Sequence, residues 1–349
     1  MHNTTPHETL DRRQQRILRF VIDQFVESGH PVGSRSLSKL RDEHLSPASI
    51  RNTMSDLEEM GFLQQPHTSA GRIPTDQGYR HYVDSLISPA SIPHAEQDQI
   101  SAVFSHFEGM FSSILECASR VLSQYSHYIG IASKPRFDSM VFRHIQFIRQ
   151  GPGRILVIFV SSSGLVYNKV IEVEGSYEQE YLEKVSRWVI DHFMGKTLLR
   201  VRQLVQDMLQ EERARYDILA KQALKISQAS FEDDFGTEEG LIVEGTSNLA
   251  KEPDFATRET MERLLEAIEE KNALLDLISG CQDDEGVQVV IGSESELMEI
   301  QGCSLIASAY NFPDGSRGSI AVLGPKRMPY PRTIYLVDYI SRQISKLES

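Results

Sequence analysis

Cysteine is scarce in this chain. Cys117, Cys281 and Cys303 are the only three in 349 residues, odd in number and far apart. Such spacing supports neither a disulfide framework nor a zinc site, and buried free thiols in a reducing cytoplasm are the plainer expectation. Long apolar runs are missing as well. The stretch Arg154 to Val160 falls far short of the ~20 residues that a membrane helix needs. The opening MHNTTPHETL lacks the apolar segment of a signal peptide. Bulk positive charge is also absent: 36 Lys+Arg stand against 49 Asp+Glu, a net charge of −13. A protein that coats nucleic acid by charge alone is thereby excluded. No Ser/His/Asp set, paired carboxylate or phosphate loop stands out. Gln150-Gly151-Pro152-Gly153 is too short and proline-bound for a dinucleotide loop and reads as a hairpin turn. Asp191-His192 reads as a helix surface pair. No catalytic residue, cofactor or metal is expected.

What is present is ordinary for a soluble globular chain of two or three domains: 40% hydrophobic and 24% charged residues. Charge is unevenly spread. Residues 1–88 hold 10 Lys+Arg against 11 Asp+Glu and 6 of the 11 histidines, leaving 26 against 38 for the remainder. An acidic body behind a near-neutral head orients the head towards phosphate.

The head carries the informative pattern. Asp11 to Ser28 reads as a helix with Ile17, Leu18, Val21, Ile22, Phe25 and Val26 as its apolar stripe. A second helix follows Val32-Gly33, capped by Ser34, with Leu37 and Leu40 inward. RDEHLS then turns the chain into a third helix that starts at Ser46-Pro47, a serine cap followed by proline at the first helical position. Ile50, Met54 and Leu57 form its buried stripe. Ser49, Arg51, Asn52 and Ser55 lie on the other face, and Gly61 ends the helix as a left-handed cap. Phe62-Leu63, a turn at His67 to Gly71, and Arg72-Ile73-Pro74 make a basic-tipped hairpin. A polar-faced helix beside such a hairpin is the layout of a winged helix-turn-helix. In that layout Ser49, Arg51, Asn52 and Ser55 read bases, because arginine forks onto guanine and asparagine onto adenine. Ser34, Arg35, His67, Thr68, Ser69 and Arg72 hold phosphate or the minor groove. The plainer alternatives are an Arg51 paired with an acid one turn along, a solvated Asn52, and an Arg72 that only caps the hairpin.

VGSRSLS (Val32 to Ser38), LSPASIRNTMSDLEEMGFL (Leu45 to Leu63), PHTSAGRIPT (Pro66 to Thr75) and GYRHYVDSL (Gly78 to Leu86) closely resemble the HrcA family of bacterial heat-inducible transcription repressors. The resemblance implies a homodimer on an inverted-repeat DNA operator, called CIRCE, upstream of chaperonin and Hsp70-system operons. It also implies that the GroE chaperonin helps keep the repressor folded and active.

Thr75-Asp76 caps a connecting helix with Tyr79, Tyr82, Val83 and Leu86 on one side. Two prolines in Ser88 to Pro93 mark a linker. Beyond it, Gln97 to Ile129 reads as a long helix, interrupted or ended at Gly109 and Gly130. Val141–Ile148, Arg154–Ser161 and Leu165–Val173 read as an antiparallel meander. Tyr177–Met194 and Leu198 to about Ile226 read as helices, Phe231 to Gly236 as an acidic solvated turn, and Leu241–Glu244 as a short strand. A helix from about Ala256 to Ile278, a strand Val287–Ile291, a hairpin turning at Pro313-Asp314-Gly315 and a last helix Thr333–Leu347 complete the chain. The fold class expected is α+β and multidomain. EGTSNL (Glu244 to Leu249) and GSIAVLGPKRMPY (Gly318 to Tyr330) extend the resemblance, which implies a GAF-like domain carrying an inserted dimerising domain. The division expected is a winged helix-turn-helix at 1–88, a linker at 89–96, a discontinuous GAF-like domain at 97–176 and 256–349, and a mostly helical dimerisation insert at 177–255. Ligand sensing or protein interaction through the GAF-like body is the alternative to repression. In the repressor reading heat loosens the dimer or body, and the two heads lose their joint hold on DNA.

Overall fold

The computed structural model describes residues 10–37, 46–68, 70–87, 91–105, 111–135, 139–211, 218–231, 240–255, 257–269, 271–280, 286–295, 302–312 and 317–346. Leu40, Ser69, Gly109, Cys281, the acidic run 232–236 and the turn 313–315 lie outside these residues.

Three helices and a hairpin build the head. Helix α1 (Arg12–Ser28) opens on a capping box: the Asp11 carboxylate accepts from the Gln14 N–H at 2.7 Å, and the Gln14 side chain accepts from the Asp11 N–H at 2.9 Å. It ends on left-handed Gly29. Ile17, Leu18, Val21 and Ile22 are buried along it and pack towards α3 (Pro47–Glu59). Helix α2 (Ser34–Leu37) buries Leu37 between them. Strands β1 (Leu63–Gln64) and β2 (Ile73–Pro74) pair antiparallel. Val32 joins the hairpin, exchanging two backbone hydrogen bonds of 2.9 Å with Arg72.

The Thr75 hydroxyl accepts from the Gly78 N–H and caps α4 (Asp76–His81). One helix through Leu86 was expected here. The chain instead widens into a π-helical turn, Tyr82–Leu86, in which the Ile87 N–H reaches back to the Tyr82 carbonyl. The Tyr82 hydroxyl donates to Asp23 of α1 at 2.6 Å.

The body is organised on a five-stranded antiparallel sheet. Its strands are β3 (Ile129–Ser133), β7 (Leu241–Glu244), β8 (Val287–Ile291), β9 (Cys303–Asn311) and β10 (Arg317–Pro325), in the order β7-β3-β10-β9-β8. Side chains alternate across it. Ile320 and Val322 share a core with α5 (His94–Ser105), α6 (Phe111–Ser126) and α13 (Tyr330–Ser345), whereas Ala321 and Leu323 share another with α11 (Arg258–Glu269) and α12 (Lys271–Gly280). The sheet is thus covered on both faces. The helix expected to run through Ile129 ends at Ser126 instead. His127 takes a left-handed turn (φ 66°), and β3 begins two residues on. Gly130 permits this, because a Cβ there would overlap the Ser119 carbonyl of α6. Burial pushes the Cys303 thiol in β9 up to about 12, which leaves it inert.

The meander forms as expected, with β4 (Phe142–Gly151), β5 (Arg154–Ser161) and β6 (Val166–Glu172) paired antiparallel and a register shift near each end of β4. It does not belong to the body sheet. Phe147, Val157 and Phe159 share a separate core with α7 (Gln179–Phe193), α8 (Leu198–Glu211) and α9 (Ile218–Phe231). The insert expected at 177–255 is therefore displaced. By packing it spans 140–231, and β7 returns to the body beside β3. Three cores in a mixed helix-and-sheet chain make an α+β multidomain architecture. Among the described residues no helix is long and apolar enough to cross a membrane.

Head and body meet where the Tyr79 ring tilts onto Tyr330, with centroids 5.8 Å apart. The buried Tyr79 hydroxyl has no hydrogen-bond partner among the described residues. Tyr79→Phe is expected to raise the unfolding free energy by about 1 kcal/mol. Urea titration should show a higher midpoint at unchanged slope; a lower midpoint would mean that the hydroxyl is satisfied.

Candidate nucleic-acid interface

Helix α3 owes its start to Ser46, whose hydroxyl accepts from the Ser49 N–H at 3.2 Å, with Pro47 in the first turn. Ile50, Thr53, Met54 and Leu57 are its buried residues. At 3.6 residues per turn, Ser49, Arg51, Asn52 and Ser55 share the remaining arc of about 160°. Arg51 and Asn52 are exposed and Ser49 and Ser55 half-buried. Among the described residues Arg51 has no ion pair or hydrogen bond. Of the acids near it, Asp56, Glu58 and Glu59, the one on its own face two turns along, Glu58, is held by Arg72 at 2.7 Å. Pairing of Arg51 one turn along is therefore not what the fold adopts.

That ion pair changes the reading of Arg72. Expected as a phosphate contact on the hairpin, its guanidinium folds inward against α3, its side chain only 19% exposed. Its Nε is buried with no described partner. Its backbone holds Val32. Arg72 thus braces the hairpin against α3. Gly71 beside it has a steric reason, since a Cβ would overlap the Val32 carbonyl. Gly78 likewise lies against the Phe62 carbonyl.

A cleft of about 450 Å³ runs between α2, α3 and the hairpin, and Ser34, Arg35, Arg51, Thr68 and Arg72 line it. The fold thus brings five of the ten expected residues around one concavity. Ser34 is buried, so it shapes the wall more than it offers a surface. Arg35 is exposed on α2; His67 and Thr68 are exposed on the hairpin; Ser69 lies outside the described residues.

Two residues escaped the sequence reading. Arg13, in the first turn of α1, donates to the Ser49 carbonyl at 2.6 Å and to its hydroxyl at 2.7 Å. It pins the opening turn of α3 and leaves the Ser49 O–H as a donor. Gln65 donates to the carbonyls of Thr68 and Ala70, both at 3.0 Å, and holds the hairpin tip. The basic run Arg12-Arg13 was a faint signal for the first, and nothing in the sequence marked the second.

The EGTSNL stretch has a structural task. Gly245 is left-handed and leads into α10 (Thr246–Leu249), whose Asn248 donates to the Ser123 hydroxyl of α6 at 3.0 Å and towards the Tyr128 carbonyl at 3.4 Å. These bonds brace the junction of α6 and β3.

Comparison with known proteins bears on this geometry. Residues 112–334 match the family model for the HrcA protein C terminal domain. The chain is 39% identical to a heat-inducible transcription repressor HrcA of Geobacter sulfurreducens, over 97% of this chain and 98% of that one. It is 37% identical to the repressor of the same name from Syntrophobacter fumaroxidans, over 97% of each. A crystal structure described as that of a hypothetical protein is similar in fold, with a TM-score of 0.59 at 23% identity over 97% of this chain and 98% of that one.

Arg72→Ala leaves Glu58 without its partner and is expected to lower stability by about 1–2 kcal/mol. The slope of DNA affinity against salt should stay as it was, because no phosphate contact is removed. A slope reduced by about one would return Arg72 to the phosphate backbone.

Proposed function

We propose, for a chain that belongs to the HrcA family of heat-inducible transcription repressors, that it represses chaperone operons by binding an inverted-repeat operator of the CIRCE type as a homodimer. Negative regulation of heat-inducible transcription is the family's role. The finer reading rests on one observation: the exposed arc of α3, with Arg51 and Asn52 outward beside the hairpin, matches what a winged helix-turn-helix presents to a major groove. Ser49, Arg51, Asn52 and Ser55 read base edges. Arg35, His67 and Thr68 approach the phosphate backbone, and Arg13 of α1, bonded to Ser49, joins them beside the start of α3.

The dimer has its own support. Strand β5 is apolar on both faces. Ile155, Val157 and Phe159 face the inner core, whereas Leu156, Ile158 and Val160 face outward. Val166 and Val170 of β6 extend the outer face and are 53% and 41% exposed. A central strand with two apolar faces calls for cover on both. A second copy seated face to face supplies it, so the sheet, rather than the helices of the insert, carries the dimer contact. The body, built on the five-stranded sheet, is read as GAF-like. Heat then acts by loosening the dimer or body, and the GroE chaperonin by restoring the folded repressor in the cytoplasm. The function is not enzymatic in this reading.

Gel-shift titration on an inverted-repeat chaperone-operon duplex, beside a scrambled duplex and with chaperonin added, tests the reading. Arg51→Ala should erase the difference between the duplexes while circular dichroism stays unchanged; each lost bidentate base contact is worth about 1–3 kcal/mol of discrimination. Retained preference for the operator removes Arg51 from base reading. Ile158→Asp should convert the dimer to a folded monomer in sedimentation at micromolar concentration. A dimer that survives that charge puts the contact elsewhere.

A further inference from the structure

Two sequence stretches that DNA reading does not absorb, GYRHYVDSL after the hairpin and GPKRMPY before the last helix, meet at the seam between head and body. Asp76 at the start of α4 pairs with Lys326 at 2.5 Å and accepts from the Ser293 N–H at 3.2 Å and its hydroxyl at 3.0 Å. Burial alone would raise the Asp76 pKa. The Lys326 ammonium and the Ser293 donors outweigh it and hold the carboxyl below its ordinary value. Arg80, one turn on, forks onto Glu294 at 2.7 and 2.5 Å and also donates to the Val289 carbonyl. A bidentate guanidinium–carboxylate pair fixes direction as well as distance. Arg327 meets Asp254 at 2.5 Å and leans towards the Val26 carbonyl at the end of α1, where the helix dipole favours a cation. Between the pairs, Tyr79 packs on Tyr330, and one buried core continues from the head into the body.

Domains of one chain move relative to each other unless the contact between them is extensive and apolar. This seam has a shared core and two ion pairs from α4, with a backbone carbonyl of α1 beside them. It involves α4 and the end of α1, and leaves the exposed arc of α3 untouched. We infer that the Asp76–Lys326 and Arg80–Glu294 pairs are positioning residues, which fix the heading of each recognition helix on the body so that the dimer accepts one half-site spacing. The inference rests on the repressor reading above. Each added base pair moves a half-site by about 3.4 Å and turns it by about 35°. A head held by directional pairs cannot follow such a shift, whereas a hinged head can.

The test uses the full-length protein, unaltered and with Lys326→Met plus Glu294→Gln. Operator duplexes have the spacer lengthened or shortened by one and two base pairs, and a single half-site duplex is run beside them. The unaltered dimer should lose on the order of 100-fold in affinity when the spacer changes by two base pairs, because simultaneous engagement fails. The double variant should vary by less than about 3-fold across the spacers while keeping the unaltered half-site affinity. Lys326→Met alone, which leaves the Arg80 fork, should give an intermediate profile. A double variant that keeps the sharp spacing optimum overturns the positioning role, as does a uniform loss on every duplex including the half-site. Failure of the unaltered protein to prefer any operator over scrambled DNA would bring down the repressor reading itself, a distinguishable result.

Discussion

Burial of Ile50, Met54 and Leu57 in the core of the head decides which way the rest of α3 faces. Each of these side chains contributes roughly 1.5–3 kcal/mol through apolar burial, so rotating the helix about its axis would forfeit several kcal/mol. With that stripe fixed, Arg51 and Asn52 have only solvent to face. The hairpin is then locked to the same helix by Arg72 on Glu58, and to the segment before α2 by the Val32 backbone. Arg13 secures its first turn through Ser49. The surface proposed to face DNA is therefore a rigid product of the head's core, joined among the described residues by the hairpin tip around His67 and Thr68.

Rigidity of one head does not make a reader of two half-sites. That requires the head to be held on the body and the body on its partner. The first link is the seam of Asp76, Arg80 and Tyr79 against Lys326, Glu294 and Tyr330. The second is the outer face of the meander, where the apolar side chains of β5 and β6 await cover. Between them lies the five-stranded sheet, covered by helices on both faces and braced through Asn248 and Ser123. In the proposed repressor a thermal release acts most simply through these links, because losing either uncouples the heads.

Much of the head was legible in the sequence because its signals are local. Ser46-Pro47 starts α3, the 3.6-residue spacing of Ile50, Met54 and Leu57 sets its face, and Gly61 closes it. The interactions that revise the picture are long-range. Arg72 meets Glu58 across the hairpin, and Arg13 reaches Ser49 over 36 residues. Neither leaves a periodic trace. In the body, Ile129 to Ser133 resembles the tail of the preceding helix in composition. Only the left-handed His127 and the close approach at Gly130 make it a strand. The meander was read strand by strand, but which core it joins depends on α7 to α9 folding back over it. The bounds of this unit by packing, 140–231 rather than the expected 177–255, therefore carry no local mark at either end. Of the expected contact residues, five line one cleft, the inward-turned Arg72 among them, and Ser49, Asn52, Ser55 and His67 stand on the same head outside it.

Footprinting of the full-length protein on a CIRCE-type duplex tests most directly whether α3 reads DNA from a dimer with fixed heads. Hydroxyl-radical cleavage would report the backbone and dimethyl sulfate the guanine N7 positions in the major groove. Two protected patches on one face of the duplex are predicted, separated by a whole number of turns, about 10–10.5 base pairs each, with guanine protection inside both. A single patch, or protection that is the same on scrambled DNA, would contradict it.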